Sequence, residues 1–160
     1  MSDHKPATLI TFIIATLTAA TAGLGAAVSG SAADIWYLAL DKPELTPPDY
    51  AFAIVWPILF VLMAFAAILV RVKAGSFAAC SGALGLYFIQ LAVNLSWSWM
   101  FFAFQEILLA MIALGALLLL ILATMRAFSR YSTTAALLLL PYLIWVSFAG
   151  YLNASILLAN

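Results

Sequence analysis

Five apolar runs, approximately residues 7–29, 50–70, 77–104, 107–127 and 134–159, take up most of this chain. Each is near or above the roughly 20 residues that a helix needs to cross the hydrocarbon core of a bilayer. Lipid offers no partner to loose backbone groups, so such runs must be helical. Barrel strands would alternate apolar and polar residues, and these runs do not. The composition agrees: 68% of 160 residues are hydrophobic and 8% are charged, against about 25% charged in an ordinary soluble domain. The expected fold is all-α: one domain over residues 1–160, a bundle of five transmembrane helices in a multi-pass membrane protein.

The links between the runs are unequal. Residues 71–76, 105–106 and 128–132 make short turns, which force antiparallel neighbours. Only the link between the first two runs is long. Lys5, Arg71, Lys73, Arg126 and Arg130 fall on the side of the N-terminus, whereas Lys42 lies opposite with Asp34, Asp41, Glu44, Asp49 and Glu106. The positive-inside rule then puts the N-terminus in the cytoplasm, with the long loop and the C-terminus outside. The first run is too long for a signal-peptide core and reads as a retained helix, although Ala32-Ala33 resembles a cleavage site.

Several function classes are excluded. Formal net charge is zero, so nothing favours nucleic acid. Cys80 is the one cysteine and His4 the one histidine, which leaves no ligand set for a metal and no buried histidine for haem iron. No Asp, Glu, His or Lys falls inside the apolar runs. Conventional acid–base or nucleophilic catalysis is therefore not expected, and proton-coupled transport lacks its usual intramembrane carboxylate.

The long loop is dense in information: Trp36-Tyr37, Lys42-Pro43 and Pro47-Pro48 lead into Tyr50, Phe52 and Trp56. Prolines fix φ and restrict their predecessors, so this loop is stiff. It either simply ends helices or closes over a site as a lid formed by Trp36, Lys42, Pro43, Pro47 and Pro48. Thr46, Pro47 and Asp49 carry the pattern of an N-cap, a first helical position and a capping box.

Three helix faces carry aromatic and amide groups. On the third run Tyr87, Gln90, Asn94, Trp97 and Phe101 recur every three or four residues, hence on one face. The second run has Phe52, Trp56, Phe60 and Met63; the fifth has Tyr142, Trp145, Ala149 and Leu152, with Asn153 adjacent. Amides at membrane depth either hydrogen-bond to neighbouring helices or face a cavity. Pro57 and Pro141 are expected to kink their helices and open space between them. If the faces converge, they form a pocket of indole and phenyl rings with a few amides, suited to a flat apolar ligand. Small residues form a further pattern: Ala78, Ala79, Gly82, Ala83 and Gly85 on the third run, and Ala19, Gly23 and Gly25 on the first. This spacing serves either packing inside the bundle or a homodimer through the third helix.

Trp36-Tyr37, Leu40, Lys42-Pro43, Pro47-Pro48, Phe52 and Trp56 carry the strongest part of a family resemblance. Gln90, Asn94 and Trp97 add to it, as do Pro141-Tyr142, Trp145, Ala149 and Leu152-Asn153. Over essentially its whole length the chain resembles the TspO/MBR family of tryptophan-rich sensory and translocator proteins, which includes the peripheral benzodiazepine receptor. The resemblance implies a bacterial member with five transmembrane helices, often dimeric, whose first loop closes a pocket. It also implies porphyrin ligands such as protoporphyrin IX and haem, with sterols and benzodiazepine-type drugs in animal members and no obligatory cofactor. Positions matching the family's ligand pocket are Tyr37, Phe52, Trp56, Phe60, Asn94, Trp97, Trp145 and Ala149. Trp56 and Trp145 also match the tryptophans implicated in light-dependent breakdown of protoporphyrin. The chain departs from the family in two places: no Lys or Arg follows Tyr151, as a sterol motif would require, and Leu59 stands where many relatives have an aromatic. The expected role is a porphyrin receptor in tetrapyrrole regulation or stress response, in a bacterial cell membrane. The alternatives are a transporter of porphyrins or other amphipaths, and light-dependent degradation of protoporphyrin.

Overall fold

The computed structural model describes the backbone of residues 4–160 and the side chains of residues 8–30 and 35–160. The side chains of His4, Lys5 and Asp34, which enter the charge and metal arguments, lie outside the described residues. Helix α1 spans His4–Ala32 and continues as a π-helical turn over Ala33–Tyr37. Then come α2 (Asp49–Ala74), α3 (Phe77–Ser98) with a π-helical turn over Trp99–Ala103, and α4 (Ile107–Ser129). Finally α5 (Thr133–Leu137) and α6 (Leu140–Ala159) together make the last crossing. Five segments are long and apolar enough to span a bilayer, and no strand occurs among the described residues.

The core lies between α2, α3, α4 and α6, where Met63, Leu84, Leu114, Leu117, Ile121 and Val146 are fully buried. The outside is the reverse of a soluble protein: Phe12, Ile112, Leu119 and Ile144 all face outward. An apolar exterior on helices of this length has lipid as its solvent. Buried hydroxyls and amides tie the helices together. Thr18 Oγ1 donates to Ile14 O within α1 and meets the Tyr87 hydroxyl of α3 at 2.6 Å. Asn94 Nδ2 of α3 donates to the Tyr142 hydroxyl of α6 at 2.8 Å.

Proline chemistry accounts for two differences from the sequence expectation. The last crossing is two helices because Pro141 has no N–H for the carbonyl four residues earlier, and its ring crowds that carbonyl. The residue four earlier is Leu137, where α5 stops. The capping box at Thr46 does not form. Pro47 precedes another proline and is pushed out of the helical region, and Pro48 is itself extended at ψ 151°, so α2 starts only at Asp49. The Thr46 hydroxyl instead donates to Pro43 O at 2.7 Å, and its backbone N–H to the same carbonyl at 2.9 Å. Asp49 is the acidic residue of the first turn, where the positive end of the helix dipole favours it.

The long connection is also shorter than expected. Trp36 and Tyr37 belong to the helical extension of α1, not to the loop. The other turns match expectation. Gly75, at φ 74°, ends α2, and Ser76 caps α3 by accepting from Ala79 N at 3.2 Å. Between α3 and α4 the chain reverses through Gln105, at φ 58° the one non-glycine residue with positive φ among those described.

Candidate functional site

A cavity of about 550 Å³ opens among α1, α2, α3 and α6 toward the end of the bundle that carries the long loop. On α2, Phe52, Trp56 and Phe60 follow one another at i, i+4 and i+8, so one face delivers all three. On α3 the same logic delivers Asn94, Trp97 and Ser98, and Phe101 and Phe102 come from the π-helical turn. On α6 it delivers Ala149, Leu152, Asn153 and Ile156. The fourth wall is α1, with Ala22, Gly25, Ala26 and Ser29. Its small side chains leave the room that the rings opposite would otherwise fill. A Cβ on Gly25 would sit 3.6 Å from Ser98 Oγ, an ordinary contact, so this wall is close but not crowded.

The rings form one connected surface. Trp56 stacks on Trp97 with centroids 5.8 Å apart and planes 28° from parallel. Trp56 also contacts Phe60 at 5.8 Å and meets Tyr142 edge-on at 6.3 Å. At the rim Tyr37 sits against Phe101 at 6.2 Å and Phe102 at 6.0 Å, and Trp36 packs edge-on to Phe101 at 5.5 Å. Offset and edge-to-face pairs of this kind are the favoured geometries for aromatic rings.

The polar groups are few. Trp97 Nε1 is buried with no hydrogen-bond partner. Asn153 donates to Ile107 O at 3.0 Å, which leaves its Oδ1 unpartnered. Pro57 has no N–H to donate to the Ala53 carbonyl four residues before it, and both residues line the cavity. With Ser29, Asn94 and Ser98 also in the lining, a few polar groups in a mainly apolar wall can orient a guest without holding it by charge. Among the described residues Asp49 is the one charged lining residue, at the mouth. The Tyr37 hydroxyl is held above its ordinary pKa by burial first and by the Asp49 charge second.

Of the eight positions expected to form a pocket, Tyr37, Phe52, Trp56, Phe60, Asn94, Trp97 and Ala149 line this cavity. Trp145 does not. It packs behind Phe52 at 5.5 Å and on Phe148 at 5.8 Å, with its own Nε1 buried and unpartnered. The indole beside Trp56 is therefore that of Trp97. Gln90 is fully buried away from the cavity, where its Nε2 approaches Met63 Sδ at 3.6 Å.

None of the five lid residues lines the cavity; Tyr37 reaches it from above. Lys42 holds that region together. Its Nζ donates to the carbonyls of Tyr37 at 2.6 Å and Leu40 at 3.1 Å and lies 4.7 Å from the Tyr37 ring centre. A cation over the last carbonyls of a helix and an aromatic face is favourable on both counts. A second tie comes from Asn160, whose side chain accepts from Asp41 N at 3.1 Å and donates to Asp41 O at 3.2 Å. The α1 wall, the Ala53 carbonyl and Asn160 were not anticipated from the sequence. A proline inside a helix was the one available signal, for the carbonyl.

The model of the TspO/MBR family matches residues 12–158. The chain is 41% identical over 136 residues to the tryptophan-rich protein TspO of Chlorobaculum tepidum, covering 85% of this chain and 86% of that one. It is 38% identical over 120 residues to a tryptophan-rich sensory protein of Cereibacter sphaeroides, covering 75% and 73%. It is 36% identical over 119 residues to the translocator protein of Bos taurus, covering 74% and 70%.

Proposed function

Because this chain belongs to the TspO/MBR family, we propose that it is a membrane receptor for porphyrins such as protoporphyrin IX and haem, acting in tetrapyrrole regulation or stress response. The observation that carries the reading is the cavity of about 550 Å³ walled by the Trp56–Trp97 stack and the rings of Phe52, Phe60 and Phe101. A flat macrocycle gains most from such a wall, since burial and ring stacking act over its whole face. The polar side chains of Ser29, Asn94 and Ser98 in the lining would fix its orientation.

The test is a titration of purified protein with protoporphyrin IX in the dark, followed by tryptophan fluorescence. Saturable quenching is expected, and Trp97→Ala, which removes one ring of the stack, is expected to weaken binding about fivefold, the worth of one aromatic pair. Non-saturable quenching, or equal affinity in a Trp56→Ala, Trp97→Ala double variant, would sink the proposal. Illumination of the complex tests a second reading, light-dependent porphyrin loss. Two indoles in contact at the cavity favour it, because an excited porphyrin generates reactive oxygen beside them. Porphyrin that survives illumination removes that reading and leaves the receptor.

The membrane setting follows the distribution of charge: a bacterial cell membrane with the end that carries Arg71, Lys73, Arg126 and Arg130 in the cytoplasm. A homodimer through α3 is part of the same proposal. Ala78, Ala79 and Gly82 are exposed there, and a Cβ built on Gly82 or Gly85 would meet nothing within 4 Å.

A further inference from the structure

The structure assigns a phosphate-binding site to Arg71, at the end of the bundle opposite the cavity. Arg71 is 7% exposed, and its Nε is buried without a hydrogen-bond partner. No ion pair satisfies it: the described carboxylates nearest in sequence, Asp49 and Glu106, begin α2 and precede α4 at the other end of the bundle, as do Asp41 and Glu44. At its own end the described charges are Lys73, Arg126 and Arg130, all of the same sign. Partial negative charge at the α2 C-terminus favours a cation there, but Gly75 N–H, not Arg71, takes the Val72 carbonyl. A guanidinium with its Nε buried and no counter-charge beside it is costly, and an anion that completes it through the accessible end removes that cost.

The depth of Arg71 says which anion. Helix α2 has 26 residues, and at 1.5 Å per residue Arg71 lies roughly 14 Å from its midpoint. Half the hydrocarbon core is about 15 Å. The guanidinium therefore sits at the boundary where lipid phosphates begin, and its planar fork matches two phosphate oxygens at once. The shared chemistry is a phosphate oxyanion, carried either by an anionic phospholipid or by a free phosphate. Lys73, Arg126 and Arg130 add a general attraction to an anionic surface, whereas Arg71 supplies the one inserted contact.

The experiment is native mass spectrometry of the full chain equilibrated with equal phosphatidylglycerol and phosphatidylcholine, with inorganic phosphate in a parallel arm. Retention of phosphatidylglycerol over phosphatidylcholine by about fivefold is expected, the ratio given by one basic side chain at an anionic surface. Arg71→Gln should remove most of the preference, Arg71→Lys should reduce it less, and Lys73→Gln should leave most of it. If phosphate displaces phosphatidylglycerol and stabilises the protein alone to the same degree, the site stands and its ligand is the free anion. Equal retention of both lipids, or an unchanged preference in Arg71→Gln with no stabilisation by phosphate, overturns the site. Should Arg71→Gln fail to fold, the comparison of Arg71→Lys with Lys73→Gln decides the same question.

Discussion

Asn94 lines the cavity and at the same time holds it in shape. Its amide donates to the hydroxyl of Tyr142, which is fully buried. Asn94→Leu strands that hydroxyl and is expected to cost about 1–3 kcal/mol, the desolvation penalty of an unpaired buried group. Tyr142→Phe on top of it removes the stranded group and should recover most of the loss. Thermal unfolding of the two single variants and the double variant measures the coupling. Independent, additive losses would show that the bond contributes nothing. Asn94 and Trp97 were legible from spacing alone, because three residues along a helix put both on one face. Trp145 was not. Spacing says which residues share a face but not which of them a neighbouring helix covers. Trp145 shares the face of Ala149 and Leu152 on α6, but Phe52 of α2 packs against it at 5.5 Å and separates it from the cavity.

At the scale of elements, the loop is held by two side chains that compete with water for backbone groups. Lys42→Met keeps the aliphatic stem but releases the Tyr37 and Leu40 carbonyls, and Asn160→Leu releases both backbone groups of Asp41. These are part-exposed or exposed bonds, so each variant should cost only about 0.5–1.5 kcal/mol. The expected readout is local: faster amide hydrogen exchange in residues 38–46, severalfold faster porphyrin release and an unchanged global melting temperature. Unchanged exchange in both variants would show that the prolines alone hold the loop. The stiffness of this loop was legible from its prolines. Its actual fastenings were not, since Asn160 lies 119 positions from Asp41 and no local pattern joins them. The helix start at Asp49, rather than at Pro47, is recoverable from sequence once the effect of Pro48 on Pro47 is weighed above the capping pattern.

For the whole molecule, an odd number of crossings puts the loop and the basic end on opposite sides of the membrane. Cys80 is fully buried, so new cysteines can be labelled over a low background. In intact cells a membrane-impermeant maleimide should label Glu44→Cys at once and Lys73→Cys only after permeabilisation. The reverse pattern would invert the proposed orientation and leave the fold untouched. The number and limits of the crossings were legible because lipid sets a length that each run must meet. The split of the last crossing follows from Pro141, whose kink was legible, whereas the wide turns that end α1 and α3 were not, because they depend on how neighbouring helices fit.

The wide turn at residues 99–103 bears on how this architecture varies. There Phe104 N–H reaches back to Trp99 O across five residues at 2.9 Å, one more than an α-helix uses. A π-helical turn is a single inserted residue absorbed without breaking the helix. Deleting Met100 would return the helix to ordinary phase and swing the residues beyond it by roughly 100°, the step of one residue at 3.6 per turn. Phe101 and Phe102 would leave the rim, while Asn94 and Trp97 below would stay in place. Mouth and floor are therefore phased independently, and single-residue insertions and deletions, ruinous in most membrane helices, act here as a coarse adjustment of what the mouth admits.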